Sequence, residues 1–516
     1  MTKHLNLLLF LTLSLLLGNY AQADNQTSAV VTVSGGQIQG TIQDGVSIYK
    51  GIPFAAPPLG DLRWKDPQPV QSWSGVLTTS NFKPAPMQRP WAKIDISEDC
   101  LYLNVWTPAK QPDEKLPVMV WIYGGAFAGG STSYTDGLPF AKQGVIYVSI
   151  AYRVGALGFM TNPELNAESP HHTSGNYGIL DQIAGLKWVQ ENISKFGGDP
   201  SKVTIFGESA GAISVSILCA SPLCKGLFRA AISESGGSFG PKDCGREYNG
   251  VNSLKAVEQR DVDFMKNLGA QSIADLRKVD AEKLIDDPTN NFWPIIDGYA
   301  ITDDQYLLYQ QGNYNDVNIM VGTNSDEGAM FSQATNVASY KKQAQEKYGK
   351  YYNRIMKAYP AKTDEETAYA AADIFREAGF AWPTYAWAKL QYQTGKKNVF
   401  VYYFDQPQPI DQRTGKRPRG ANHASEIPYV YKVLQPDVYT QSDKQLSDIM
   451  SAYWVNFAKN GNPNGQGLPN WPAYDNQKQK VMWLHMTPEA KSWAHKSNLL
   501  LMEELFKDLR NNHSIK

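Results

Sequence analysis

The chain has 516 residues, a formal net charge of −1 and 42% hydrophobic residues, without a repeat or low-complexity tract. Interspersed charges near balance exclude a basic nucleic-acid-binding surface, and this length predicts one large core rather than a small stapled domain. The four cysteines, Cys100, Cys219, Cys224 and Cys244, leave room for one or two disulfides whose pairing the sequence does not define.

At the N-terminus, Lys3 and His4 precede an apolar run over 5–17 and the small-residue ending Ala21-Gln22-Ala23. That order is a secretory signal peptide over 1–23, with Asp24 as the first mature residue. The run is short for a bilayer span of ~20 residues, and no cysteine follows it to carry a lipid. The mature protein is therefore expected to be exported, to the periplasm or beyond, with no membrane anchor. Residues 29–54 alternate apolar and polar side chains around Gly35-Gly36 and Asp44-Gly45, which predicts antiparallel hairpins. Apolar runs at 101–106, 117–123 and 146–151 predict central strands. The polar stretch 166–176 carries His171-His172, read as surface, with a weak metal site as the alternative. A helix follows over 177–196, where Ile179, Ile183, Leu186, Val189 and Ile193 recur at helical spacing and Gly197-Gly198 stops the pattern.

Next come a strand into Ser209, a helix to Cys219 and a strand at 228–233, with later strands at 318–322, 398–404 and 481–484. Between them, 249–316 and 336–397 read as helical insertions that wall a pocket. Alternation of this kind predicts an α/β protein: one domain over 24–516, its central mostly parallel sheet covered by helices and bordered by an antiparallel N-terminal edge.

The pattern G-x-S-x-G occurs twice, at Gly207-Glu208-Ser209-Ala210-Gly211 and at Gly236-Gly237-Ser238-Phe239-Gly240. Only the first follows a strand and opens an apolar helix, the context of a nucleophile elbow. The second runs into Pro241, Lys242 and Asp243 and reads as a glycine-rich loop. A serine nucleophile needs a base and a group to orient that base. Of the histidines after Ser209, His513 lies in a polar tail, His495 in an amphipathic terminal region and His485 at the end of an apolar run. His423, in a loop of small residues before Glu426, is the best base. The turn Ser325-Asp326-Glu327-Gly328 supplies an acid, and composition does not choose between Asp326 and Glu327. Gly124-Gly125-Ala126, directly after a strand, is a turn able to hold an oxyanion on its backbone N–H groups.

Together these segments resemble the type-B carboxylesterases, the carboxylesterase and cholinesterase branch of the α/β-hydrolase superfamily. The resemblance covers nearly the whole mature chain. It rests on Tyr49-Lys50-Gly51-Ile52-Pro53-Phe54-Ala55, Ser97-Glu98-Asp99-Cys100-Leu101, Gly175-Asn176-Tyr177-Gly178, Phe196-Gly197-Gly198-Asp199-Pro200 and the Ser209 elbow. It implies the α/β-hydrolase fold and a triad of Ser209, Glu327 and His423. Its oxyanion donors match Gly125, Ala126 and Ala210. It implies no metal or cofactor, and a small ester as substrate. Glu208 and Glu426 match buried carboxylates that tune the site, Arg63 and Glu98 a structural ion pair, and Asp297 a structural aspartate.

Two departures stand out. Ala126 replaces the third glycine of the oxyanion turn, which predicts poor hydrolysis of tertiary-alcohol esters. Cys100 lacks its usual partner near 82–88, so the first disulfide of the family is absent. Trp91 lies close to the choline-binding tryptophan of cholinesterases, but Arg89 and Lys93 flank it, so it is read as a hydrophobic pocket wall. The activity implied is hydrolysis of short-to-medium acyl or aromatic esters through an acyl-enzyme. Alternatives are a specialised phenolic or natural-product esterase, a lipase, or a non-catalytic adhesion module on the same fold.

Overall fold

The computed structural model describes residues 26–89, 94–244, 248–286, 292–410 and 415–512. The segment 1–23, Trp91 and His513 lie outside the described residues. The apolar runs of the sequence become the interior of one 12-stranded sheet. Its parallel part is, in spatial order, Ile146–Ile150, Leu116–Ile122, Gly198–Glu208, Ala230–Glu234, Asn318–Asn324, Val399–Phe404 and Val481–Leu484. Every residue of Ile146–Ile150 and Val399–Phe404 is buried. Helices lie on both faces of such strands, so the sequence there is a continuous apolar run rather than an alternating one. The predicted antiparallel edge is present: Tyr102–Thr107, Val46–Pro53, Thr41–Gln43 and Gln26–Thr27 pair antiparallel in that order. The hairpin at Gly35-Gly36 leaves the main sheet and forms a small one with Val76–Thr78.

Helix Tyr177–Asn192 tightens into a 3₁₀ turn at Ile193–Phe196 and stops at Gly197, whose φ of +82° a glycine adopts without strain. The two insertions differ. The second is helical as expected, with Val337–Tyr348, Tyr352–Ala358, Asp364–Phe375 and Trp382–Thr394, the last two joined by a π-helical turn at Arg376–Ala381. The first is mostly irregular after Leu254–Asn267, because Gly269 and Gly298 take left-handed backbone and punctuate it.

Disulfides expected from an even cysteine count are not formed by the buried cysteines. Cys100, Cys219 and Cys224 sit in the core as thiols, and burial disfavours their deprotonation. The Arg63 guanidinium does grip Glu98, with Nη2 donating to Oε1 at 2.6 Å. Asp297 Oδ1 accepts from the N–H groups of Tyr299 and Ile301 at 3.0 and 2.8 Å, closing a turn on itself. Among the described residues no helix is long and apolar enough to cross a membrane.

Candidate active site

Strand Gly198–Glu208 gives way to helix Ala210–Ala220 with a single residue between, and that residue is Ser209. The reversal forces it to φ +56° and ψ −122°, backbone that costs a side-chain-bearing residue roughly 1–3 kcal/mol. Two hydrogen bonds hold it there: Ser209 N–H donates to Glu234 O at 2.9 Å, and Ile213 N–H donates to Ser209 O at 2.9 Å. Close packing leaves no alternative to glycine two residues on, since a Cβ on Gly211 would lie 2.0 Å from Ile122 O. Ser209 itself stays partly exposed.

The acid turn and the histidine loop are joined by backbone and amide bonds. Asp326 N–H donates to Ala421 O at 2.8 Å, Ala421 N–H to Ser325 Oγ at 2.9 Å, and Asn324 Nδ2 to Asn422 O at 2.9 Å. This pairing brings His423 Nδ1 to 2.6 Å from Glu327 Oε2 and its Nε2 to 2.8 Å from Ser209 Oγ. A buried carboxylate at Nδ1 favours the tautomer that carries its proton there, leaving Nε2 to accept from the serine hydroxyl. Glu327 is fully buried and its other oxygen accepts from Asn324 N–H at 2.7 Å. Asp326 turns the other way and is held by the Arg419 guanidinium. Geometry thus separates two adjacent carboxylates that composition left equivalent. The other described candidate histidines lie with different partners, His485 near Glu489 and His495 near Glu377.

The turn expected to hold an oxyanion, Gly124-Gly125-Ala126, follows strand Leu116–Ile122. Gly124 lets it approach Ser209: a Cβ there would lie 3.0 Å from Ser209 Cβ and 2.6 Å from Glu208 O. Ala128 and Gly129 N–H groups both donate to Gly125 O, at 3.0 and 3.1 Å, whereas among the described residues the N–H groups of Gly125 and Ala126 have no backbone acceptor. Ala210 opens its helix, so its N–H has no intrahelical acceptor. Ala126 and Phe127 have φ of +54° and +55°. A methyl group on left-handed backbone costs roughly 1–2 kcal/mol, so Ala126 keeps a glycine's geometry at some strain. The turn is fixed from behind. Phe127 packs edge-on against Phe159 and Trp293, centroids 5.2 and 4.8 Å away, and the Gln88 amide makes reciprocal 2.8 Å bonds with Gly130.

Beneath the site lies a group of buried carboxyls. Glu208 Oε1 is 3.2 Å from His423 Nε2, Glu234 Oε1 accepts from Trp454 Nε1 at 2.9 Å, and Glu426 accepts from Asn324 Nδ2. Burial pushes Glu208 up to about 7 and Glu234 up to about 8, and holds Glu426 well above the carboxylate range. Burial opposes charge on His423 too, but the carboxylates of Glu208 and Glu327 outweigh it and raise the imidazole to about 9. The pocket is therefore built to favour an imidazolium once a proton arrives.

Several members of this arrangement were not singled out in the sequence. Glu234 is one, and its signal was a carboxylate closing an otherwise apolar strand. Phe331 and Phe380 are others, their rings 5.2 and 4.8 Å from the His423 ring. Phe380 is delivered by the π-helical turn. That turn also supplies Arg376, whose Nη1 donates to Ser325 O at 3.1 Å and Asp373 at 2.7 Å while Nη2 donates to Glu377 at 2.7 Å. Nothing in local sequence pattern marks an arginine that braces an acid turn some fifty positions away.

A strained serine corner on a mostly parallel sheet, with insertions after the later strands, makes this an α/β-hydrolase. The sequence profile of the carboxylesterase family matches residues 27–500. The chain belongs to that family, and it is a carboxylic ester hydrolase. It is 34% identical to the fumonisin B1 esterase of Sphingopyxis macrogoltabida, across 88% of this chain and 86% of that one. To the human cocaine esterase it is 33% identical, across 90% and 89%. A solved PNB esterase superposes with a TM-score of 0.78 at 32% identity, covering 92% of this chain and 99% of its own.

Proposed function

We propose that Ser209 is the nucleophile of an exported esterase, with His423 as its base and Glu327 orienting the imidazole. The observation that carries this reading is the unbroken line from Ser209 Oγ through His423 Nε2 and Nδ1 to Glu327 Oε2, with contacts of 2.8 and 2.6 Å. As Ser209 attacks the ester carbonyl, His423 takes its proton, and Glu327 stabilises the imidazolium without accepting that proton. Negative charge grows on the carbonyl oxygen, where the N–H groups of Gly125, Ala126 and Ala210 receive it. His423 returns the proton to the leaving alcohol, then activates water to release the acid from Ser209.

The substrates are short-to-medium acyl esters of primary or aromatic alcohols. Ala126 supports this choice: its methyl group narrows the oxyanion turn against a branched alcohol. A tert-butyl ester should be hydrolysed far more slowly than the n-butyl ester of the same acid, and equal rates would remove the argument. The working unit is a single domain over 24–516, released from signal peptide 1–23 on export to the periplasm or the medium. N-terminal sequencing of the exported protein checks the cleavage before Asp24. The direct test of function is p-nitrophenol release from acetate, butyrate and octanoate esters by residues 24–516. Turnover lost in Ser209→Ala supports the assignment; turnover retained in that variant overturns it.

A further inference from the structure

Beside the catalytic histidine lies a second feature that hydrolysis itself does not require. A cavity of about 290 Å³ opens where the second insertion meets the turn after Glu327. Its lining includes five rings, Tyr248, Tyr340, Tyr348, Phe331 and Phe375, among small and polar residues. Tyr340 and Tyr348 project from the same face of helix Val337–Tyr348, and both are buried. Gln343, exposed on that helix, stands at the rim, as does Lys347, whose ammonium lies 4.9 Å over the Tyr248 ring.

Phe331 connects this cavity to the chemistry. One side of its ring lines the cavity, while the ring meets the His423 imidazole edge-on at 5.2 Å and Phe375 at 5.0 Å. It is also 49% exposed, so part of the ring is open to contact with a bound group. The mechanism fixes which half of an ester passes here. His423 must protonate the leaving oxygen, so the alcohol portion lies on the histidine side, whereas the carbonyl oxygen turns to Gly125 and Ala126. Of the two rings against His423, Phe380 is buried, whereas Phe331 is open to solvent and also lines the tyrosine-walled cavity.

We propose that this cavity is the alcohol subsite and that it takes a hydroxylated aryl group carried on the leaving alcohol. This rests on ester hydrolysis at Ser209. Aromatic walls favour a flat ring packed offset or edge-on, and the rim amide of Gln343 offers both a donor and an acceptor to a phenolic hydroxyl. A straight alkyl alcohol would leave the wall uncovered and the amide unused.

The test compares butyrate esters of ethanol, 2-phenylethanol and 2-(4-hydroxyphenyl)ethanol, primary alcohols whose leaving oxygens are similarly acidic, so that rates report binding. The hydroxyaryl ester should exceed ethyl butyrate in kcat/KM by about tenfold or more. Ala344→Phe, which fills the cavity, should erase that advantage. Gln343→Ala, an exposed change that does not threaten folding, should raise KM for the hydroxyaryl ester about threefold or more and leave the phenylethyl ester unaffected. Wild-type protein that treats all three esters alike overturns the proposal and leaves the esterase standing. So does a Gln343→Ala variant that shifts all three equally. Failure to hydrolyse any of them overturns the reading at Ser209 and the subsite with it.

Discussion

Gly207-Glu208-Ser209-Ala210-Gly211 and Gly236-Gly237-Ser238-Phe239-Gly240 follow neighbouring strands of the same sheet and share one five-residue pattern. In the first, the strand is followed at once by a helix, so Ser209 is forced into left-handed backbone and left partly exposed. In the second, the described residues that follow, 241–244, form no helix. Ser238 is 1% exposed, and its backbone N–H donates to Ser216 Oγ at 2.9 Å. Gly236 of the second copy serves the first: a Cβ on it would lie 2.7 Å from Ser209 O and 2.5 Å from Ala212 Cβ. One pattern sets a serine hydroxyl 2.8 Å from His423 Nε2, and the other gives the clearance that lets that corner sit where it does. The pattern by itself carries no chemistry; the element that follows it does.

Breaking the first copy should have the largest effect. Ser209→Ala removes the hydroxyl that faces His423 Nε2 and should lower kcat by roughly 10⁴–10⁶-fold in an ester-hydrolysis assay, with the thermal midpoint nearly unchanged. Gly236→Ala attacks the same elbow from the second copy. The backbone atoms it would meet cannot swing aside, so the fold should lose roughly 1–3 kcal/mol, seen as a lower thermal midpoint, and activity should fall with it.

A smaller change sharpens the contrast through the neighbour of Ser209. Glu208 is the strongest of the charges that raise His423, against a burial that lowers it. Activity needs the neutral imidazole, so it should rise with pH along a limb whose midpoint lies above the ordinary histidine value of about 6.5. Glu208→Gln removes a negative charge beside the ring, so the imidazolium loses stabilisation. The limb should then move to lower pH by about one unit in a pH profile of kcat/KM. The smallest effect belongs to Ser238→Ala. Among the described residues its buried hydroxyl has no hydrogen-bond partner. Activity should stay within about twofold and stability within about 1 kcal/mol of the parent.

How much of this was legible in the sequence follows from range. Strands buried on both faces announce themselves as apolar runs, and the elbow as a strand running into a helix, because both signals are local. His423 could be preferred over His485 and His495 by its neighbours, and the structure sets it between Ser209 and Glu327. Asp326 and Glu327 could not be separated by composition. Their difference lies in Arg419, held far along the chain and turned toward only one of them. Glu327 was named through family resemblance, not through local chemistry. The Gln88 clamp on Gly130, the Arg376 brace on Ser325 and the placement of Phe380 against His423 are contacts between distant segments. Periodicity holds no record of such contacts. The expected disulfides erred for a related reason: an even cysteine count says nothing of whether Cys100, Cys219 and Cys224 meet, and each is buried as a thiol in the core.

The central claim is that one of two identical serine patterns is the nucleophile. Labelling the folded protein with a fluorophosphonate and mapping the modified peptide tests it most directly, because only a serine activated by a neighbouring base reacts readily. The expected result is a single adduct on Ser209, lost in Ser209→Ala and retained in Ser238→Ala. An adduct on Ser238, or a folded and active enzyme that carries no adduct on Ser209, would contradict it.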